Sequence, residues 1–221
     1  MAVVEGFEFI HFNYLSVGLE ALPLEIHPHI IALTRKSIHD SGMKLAGVSA
    51  TFNLVDPDPD KLSHGLMSLD AIAASAPQIG TRLVTLCSGS KHPTDKWAWH
   101  PDNARPEVWR EMMANLEKAV QIAEKHEVVL GIEPEMGNVI RNADLAKKML
   151  REINSPRVAI IFDPANLFEK ADEVEARMRM MDAWEKLHNW VVVVHAKDRD
   201  AAGVVQPAGK GVVDFQTLVG M

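Results

Sequence analysis

The feature that most constrains this chain is an alternation. Short apolar runs at residues 7–12, 45–52, 82–87, 128–132, 158–162 and 191–194 are each followed by a segment with helical spacing. Runs of this length, bounded by turn residues, read as buried strands. The helical segments are legible between them. Leu62, Leu66, Leu69, Ala73 and Ala76 fall on one face, and so do Trp109, Met113, Leu116, Val120 and Ala123, so both stripes are expected to face a core. Asn142 is placed to cap a third helix carrying Leu145, Met149 and Ile153, and Asp172 a fourth carrying Val174, Met178 and Met181. Gly42 and Gly80 stand where helices should stop. His27 and His29, flanking Pro28, read as part of an exposed loop.

Strands apolar on both faces and alternating with helices imply a parallel sheet covered by helices, either doubly wound or closed into a barrel. No glycine-rich phosphate fingerprint follows any strand, while reactive polar residues end several of them. That favours an α/β fold of the TIM-type (β/α)8 kind, with its chemistry at the C-terminal ends of the strands. A full barrel has eight strands and about 250 residues. Six strands in 221 residues therefore lead us to expect an incomplete barrel, a single domain over residues 1–221 that is truncated at both ends. Its open edges would leave room for a homo-oligomer.

Charge narrows the partner. A formal charge of -7, with Lys and Arg scattered among acids, offers no basic stripe for nucleic acid. No run approaches the roughly 18 apolar residues of a membrane helix, and the N-terminus lacks a signal-peptide layout. Cys87 is the only cysteine, so an internal disulfide is impossible and a reducing, cytoplasmic setting is expected.

Three successive strands run out onto side chains that bind metals: Val-Val-Leu-Gly-Ile-Glu133, Val-Ala-Ile-Ile-Phe-Asp163 and Val-Val-Val-Val-His195. Each alone has an ordinary explanation, as an ion-paired acid, a turn residue or a core histidine. Repetition at one end of consecutive strands, which lie about 4.8 Å apart, instead points to one divalent cation. Two carboxylates and an imidazole suit Mn, Mg, Co or Zn.

The segments Gly131-Ile-Glu-Pro-Glu135, Phe162-Asp-Pro-Ala-Asn166, His195-Ala-Lys-Asp198 and Gly209-Lys-Gly-Val-Val-Asp-Phe215 occur in an order that resembles the sugar phosphate isomerase/epimerase family of the xylose-isomerase-like TIM barrels. Glu5-Gly-Phe-Glu-Phe-Ile resembles that family's second strand, which would make the six strands its strands two to seven. The resemblance implies that Glu133, Asp163 and His195 are metal ligands, with a fourth expected on an eighth strand beyond residue 221. It implies that Asn166, where the family often has His, meets substrate or a bound water, or only caps its turn. In the H-x-K-D pattern, Lys197 would meet an anionic substrate oxygen and Asp198 would orient a ligand, unless the two simply pair at the surface.

The remaining candidates stay open. Glu135 is a partner behind the ligands or a solvated charge, His11 a pocket or core residue, and Lys210 between two glycines a substrate contact or a solvated lysine. Trp97, Trp99 and His100, in the long loop 88–105, form a lid or touch substrate. Cys87 reads as a small buried hydrophobe. The activity implied is isomerisation or epimerisation of a sugar, sugar phosphate or polyol by proton transfer through an enediolate, with Glu133 as ligand and base. A dehydratase or hydrolase of the same superfamily, or a non-catalytic truncated barrel, is the alternative.

Overall fold

The computed structural model describes residues 6–221, so Glu5 lies outside the described residues. Six strands form one sheet in sequence order: β1 (Phe9–Phe12), β2 (Lys44–Ser49), β3 (Leu83–Cys87), β4 (Val129–Glu133), β5 (Val158–Phe162) and β6 (Val191–Val194). All five pairings are parallel, with register shifts at Ile10/His11 and Ile160/Ile161. Sequential order without crossover is the barrel topology, and it rules out the doubly wound alternative.

The sheet is strongly curled. Laid flat, β1 and β6 would be five strand spacings apart, or about 24 Å. Instead the ring of His11 on β1 lies 6.1 Å from that of His195, the residue following β6. The six strands thus wrap round an axis as an incomplete TIM barrel, and residues at their C-terminal ends face one another across it.

Helices α1 (Pro28–Ser41), α2 (Pro59–Ile79), α3 (Pro106–Lys125), α4 (Ala143–Ile153) and α5 (Glu173–Leu187) cover the outside. Their ends are fixed locally. The side chains of Asp58, Asn142 and Asp172 accept from backbone N–H groups in the first turns of α2, α4 and α5. Gly42 and Gly80 end α1 and α2 with φ of 71° and 104°, a left-handed cap that glycine adopts without strain. His27 and His29 belong to a helix start and not to a loop: Nδ1 of His27 accepts from His29 N at 3.1 Å, with Pro28 opening α1.

The apolar stripe expected on α5 faces the other way. Val174, Met178 and Met181 are 68%, 60% and 48% exposed, and the helix packs instead through Ala176, Met180, Ala183 and Leu187. The helix lies against α4 and sets Trp184 edge-on against Phe162 of β5, 5.4 Å between ring centroids, which turns Val174, Met178 and Met181 outward. Beyond β6 the chain forms a short antiparallel pair, β7 (Asp198–Arg199) with β8 (Val205–Gln206), and a final helical turn, α6 (Phe215–Val219).

Candidate metal centre

Glu133 is the last residue of β4, Asp163 follows β5, and His195 follows β6. The backbone N of His195 still donates to Phe162 O at 2.9 Å, so the ladder holds this residue one position past the strand. Asp163 is fixed by its own turn, with Oδ1 accepting from Ala165 N at 2.9 Å. One ligand-type atom from each of Glu133, Asp163 and His195 lies within 4.8 Å of the others. Nδ1 of His195 is 3.3 Å from Glu133 Oε1 and 3.9 Å from Asp163 Oδ2.

The electrostatics fit a cation. Asp163, whose side chain is 1% exposed, has its carboxyl pushed up to about 7 by burial and then by the charge of Glu133. Burial also raises Glu133, but the hydrogen bond and charge of His195 outweigh it and hold that carboxyl below its ordinary value. His195 is raised in turn, first through its hydrogen bond with Glu133. Two facing carboxylates, one kept ionised and one resisting ionisation, are what a dication would relieve. Two oxygens and one nitrogen of this spacing are a suitable donor set for Mg, Mn, Co or Zn.

Residues 3–221 match the family model described as "Xylose isomerase-like TIM barrel". The chain belongs to that family. Solved structures share its fold at low identity. The D-tagatose 3-epimerase-like protein superposes with TM-score 0.73 and 17% identity, over 98% of this chain and 78% of that one. The probable 3-DHS dehydratase AsbF of Bacillus anthracis, involved in petrobactin synthesis, gives 0.75 and 13%, over 99% and 80%. The IOLI protein with a binding zinc atom gives 0.71 and 12%, over 99% and 76%. Among curated proteins no sequence match was found. No described helix is long and apolar enough to cross a membrane.

In this xylose isomerase-like barrel the other expected residues divide into those beside the ligand triad and those elsewhere. Asn166 is fully buried and donates from Nδ2 to Glu133 Oε1 at 2.8 Å. Lys197 donates to Asn166 Oδ1 at 2.7 Å and lies 3.9 Å from Asp163 and 4.0 Å from Glu135. Burial raises the Glu135 carboxyl, with Lys197 opposing. His11 bonds through Nε2 to Thr85 Oγ1 at 3.1 Å and meets the His195 ring edge-on. Burial, then His195, lower its pKa.

Asp198 does not touch the triad. Its buried carboxylate accepts four backbone N–H groups: Oδ1 from Arg199 and Val213 at 2.9 and 3.1 Å, Oδ2 from Gly209 and Gly211 at 3.0 and 2.8 Å. It shapes the loop that carries Lys210, which is exposed. A Cβ on Gly211 would come within 2.3 Å of that carboxylate and 2.0 Å of Arg199 O, so only glycine fits there.

The loop 88–105 packs against the segment that follows Glu133. Asn103 Nδ2 donates to Gly137 O at 3.0 Å, Asn138 Nδ2 to Lys96 O at 2.8 Å, and Val139 N to Gly89 O at 2.9 Å. It therefore leaves the same end of the barrel as the triad. Trp99 stacks under Arg141 of the segment after β4, 4.8 Å from ring centroid to guanidinium, and the His100 ring accepts from Asp102 N within its own loop. Trp97 is 45% exposed. Sequence reasoning missed Thr85 and Asn138. Thr85 is a hydroxyl two residues before Cys87 in an otherwise apolar strand, which is the signal that could have found it. Asn138 gave none, because it acts through loop carbonyls distant in sequence.

Proposed function

We propose that this protein is a divalent-metal-dependent isomerase or epimerase of a sugar, sugar phosphate or related polyol. The observation that carries the reading is the convergence of Glu133, Asp163 and His195 within 4.8 Å at the barrel's C-terminal end. These three side chains would hold the ion. When bound, the ion would draw electrons from adjacent carbonyl and hydroxyl oxygens and so acidify the C–H between them.

The chain's own residues supply the rest. Glu133, kept ionised by His195, takes the proton from that carbon and can return it to the neighbouring carbon on the same face, which isomerises the substrate; epimerisation needs a second acid on the opposite face. Lys197, held at the edge of the triad, faces developing negative charge. The lid of residues 88–105 shields the mouth from water, with Trp97, Trp99 and His100 as its outer surface. Lys210 lies in the loop that Asp198 shapes, where a substrate's far end can reach it. Nothing in this scheme requires nucleic acid or a membrane, and a cytoplasmic small molecule is the expected partner.

A second reading is favoured by one feature. Glu135 is half buried with a raised carboxyl beside Lys197, which suits protonating a leaving hydroxyl, as a dehydratase needs. One experiment separates the two. The protein, loaded in turn with Mn, Co, Mg and Zn, is given ketoses, ketose phosphates and inositol-derived ketones in deuterated water. Deuterium entering carbon next to the carbonyl without loss of mass supports isomerase or epimerase chemistry. Loss of one water supports the dehydratase. No exchange with any metal or substrate overturns both.

A further inference from the structure

We infer that Asn166 is a positioning residue for Glu133, holding one carboxylate oxygen so that the other is presented to the cation; this rests on the metal reading above. The orientation of its amide follows from chemistry. A lysine ammonium can only donate, so the atom of Asn166 that lies 2.7 Å from Lys197 Nζ must be the carbonyl oxygen. The N–H₂ end therefore faces Glu133 Oε1, 2.8 Å away. That same oxygen faces His195 Nδ1 at 3.3 Å. Asn166 thus holds Oε1 from behind, and we assign the other oxygen to the ion.

The placement is built in, not incidental. Asn166 is fully buried, and its backbone N donates to Asp163 O at 3.1 Å. The same tight turn, Pro164–Asn166, is capped by Asp163. One three-residue turn therefore sets a ligand with its first residue's predecessor and steers a second ligand, on a neighbouring strand, with its last. A ligating carboxylate hydrogen-bonded from behind loses less freedom when it binds an ion. The inference also changes the role expected from sequence: both ends of the Asn166 amide are already engaged, one by Glu133 and the other by Lys197.

The test is metal affinity, read by competition with a fluorescent chelator for Mn(II) and Zn(II), in the wild type and in Asn166→Leu. The leucine keeps the branched heavy-atom skeleton and removes the donor. The expected result is a Kd about 10- to 100-fold weaker, with one ion still bound per chain. The metal-free melting temperature is measured beside it, so that a general loss of structure is not mistaken for a loss of positioning. A folded Asn166→Leu protein with wild-type affinity overturns the inference and leaves the metal reading intact. A wild-type protein that binds no ion overturns both. Should the variant not fold, a metal-loaded structure of the wild type decides. The amide must still lie within hydrogen-bond reach of Glu133. An Asn166 turned onto the ion itself, or away from Glu133, overturns the proposal.

Discussion

The two halves of the barrel's C-terminal end are made by the same kind of strand and behave differently. At the ends of β1 to β3 the polar groups satisfy one another. His11 bonds Thr85, Ser49 Oγ lies 3.2 Å from Thr51 Oγ1, Thr51 Oγ1 donates to Thr85 O, and the Cys87 thiol donates to Phe52 O. At the ends of β4 to β6, Glu133 and Asp163 face each other with like charge, and Asp163 resists ionising. The first half is at rest as it stands. The second half holds like charges that a cation would relieve, and this difference, more than the identity of any one residue, supports the proposed metal site.

The comparison breaks most readily at Asp163. In Asp163→Asn the turn keeps its cap acceptor but the second carboxylate is gone. Metal affinity is expected to fall more than 100-fold by calorimetry, while the metal-free protein at pH 8 becomes more stable. If metal affinity is unchanged, the charged half is not the binding half.

Next comes the pH dependence of the metal-free wild type. The folded-state pKa of Asp163 is raised from 3.8 to about 7. Its stabilising contribution is therefore complete below 3.8 and is lost as pH rises through about 7, an effect on the order of a few kcal/mol. His195, also raised, works in the same direction. Melting temperature without metal should fall from about pH 4 to about pH 7, and saturating Mn should reverse that fall. Asp163→Asn should flatten the profile. A wild-type profile as flat as the variant's would contradict the electrostatic contrast.

The neutral half should respond to substitution in stability alone. Thr85→Val leaves His11 without its partner and is expected to cost about 1 kcal/mol in denaturant unfolding, with metal affinity within about twofold of wild type. A tenfold loss of affinity would mean that the two halves are not separable. The smallest expected effect concerns Cys87, whose thiol is pushed up to about 12 by burial. It should stay unlabelled by a thiol reagent at pH 8 in the native protein and react at once in denaturant.

The strands and their order were legible because each is apolar on both faces and ends in a distinctive side chain, so Glu133, Asp163 and His195 could be aligned by eye. The caps Asn142 and Asp172 were legible for a similarly local reason: a side chain that bonds its own helix start leaves its mark within three residues. What failed to show was anything decided by the partner surface. Val174, Met178 and Met181 have helical spacing as good as that of the residues actually buried, and only the packing of α5 against α4 selects Ala176 and Ala183. The link from Asn166 to Glu133 and the lid bonds of Asn138 join residues on different loops, and spacing along the chain carries no trace of them. His27 was missed as a helix start because histidine caps less often than serine or aspartate.

Asp198 gathers amide hydrogens from positions 199 to 213 onto one pair of oxygens. The β7–β8 pair has its own bonds, but the stretch from Gly209 to Val213 is tied back through this one carboxylate, and releasing it frees those straps together. To a protease, the stretch around Lys210 should therefore look either wholly closed or wholly open, and cleavage after that lysine should report one shared opening event instead of local wobble. Replacing the hub by alanine would turn a latch into a slack rope while leaving the six strands beneath it as they were.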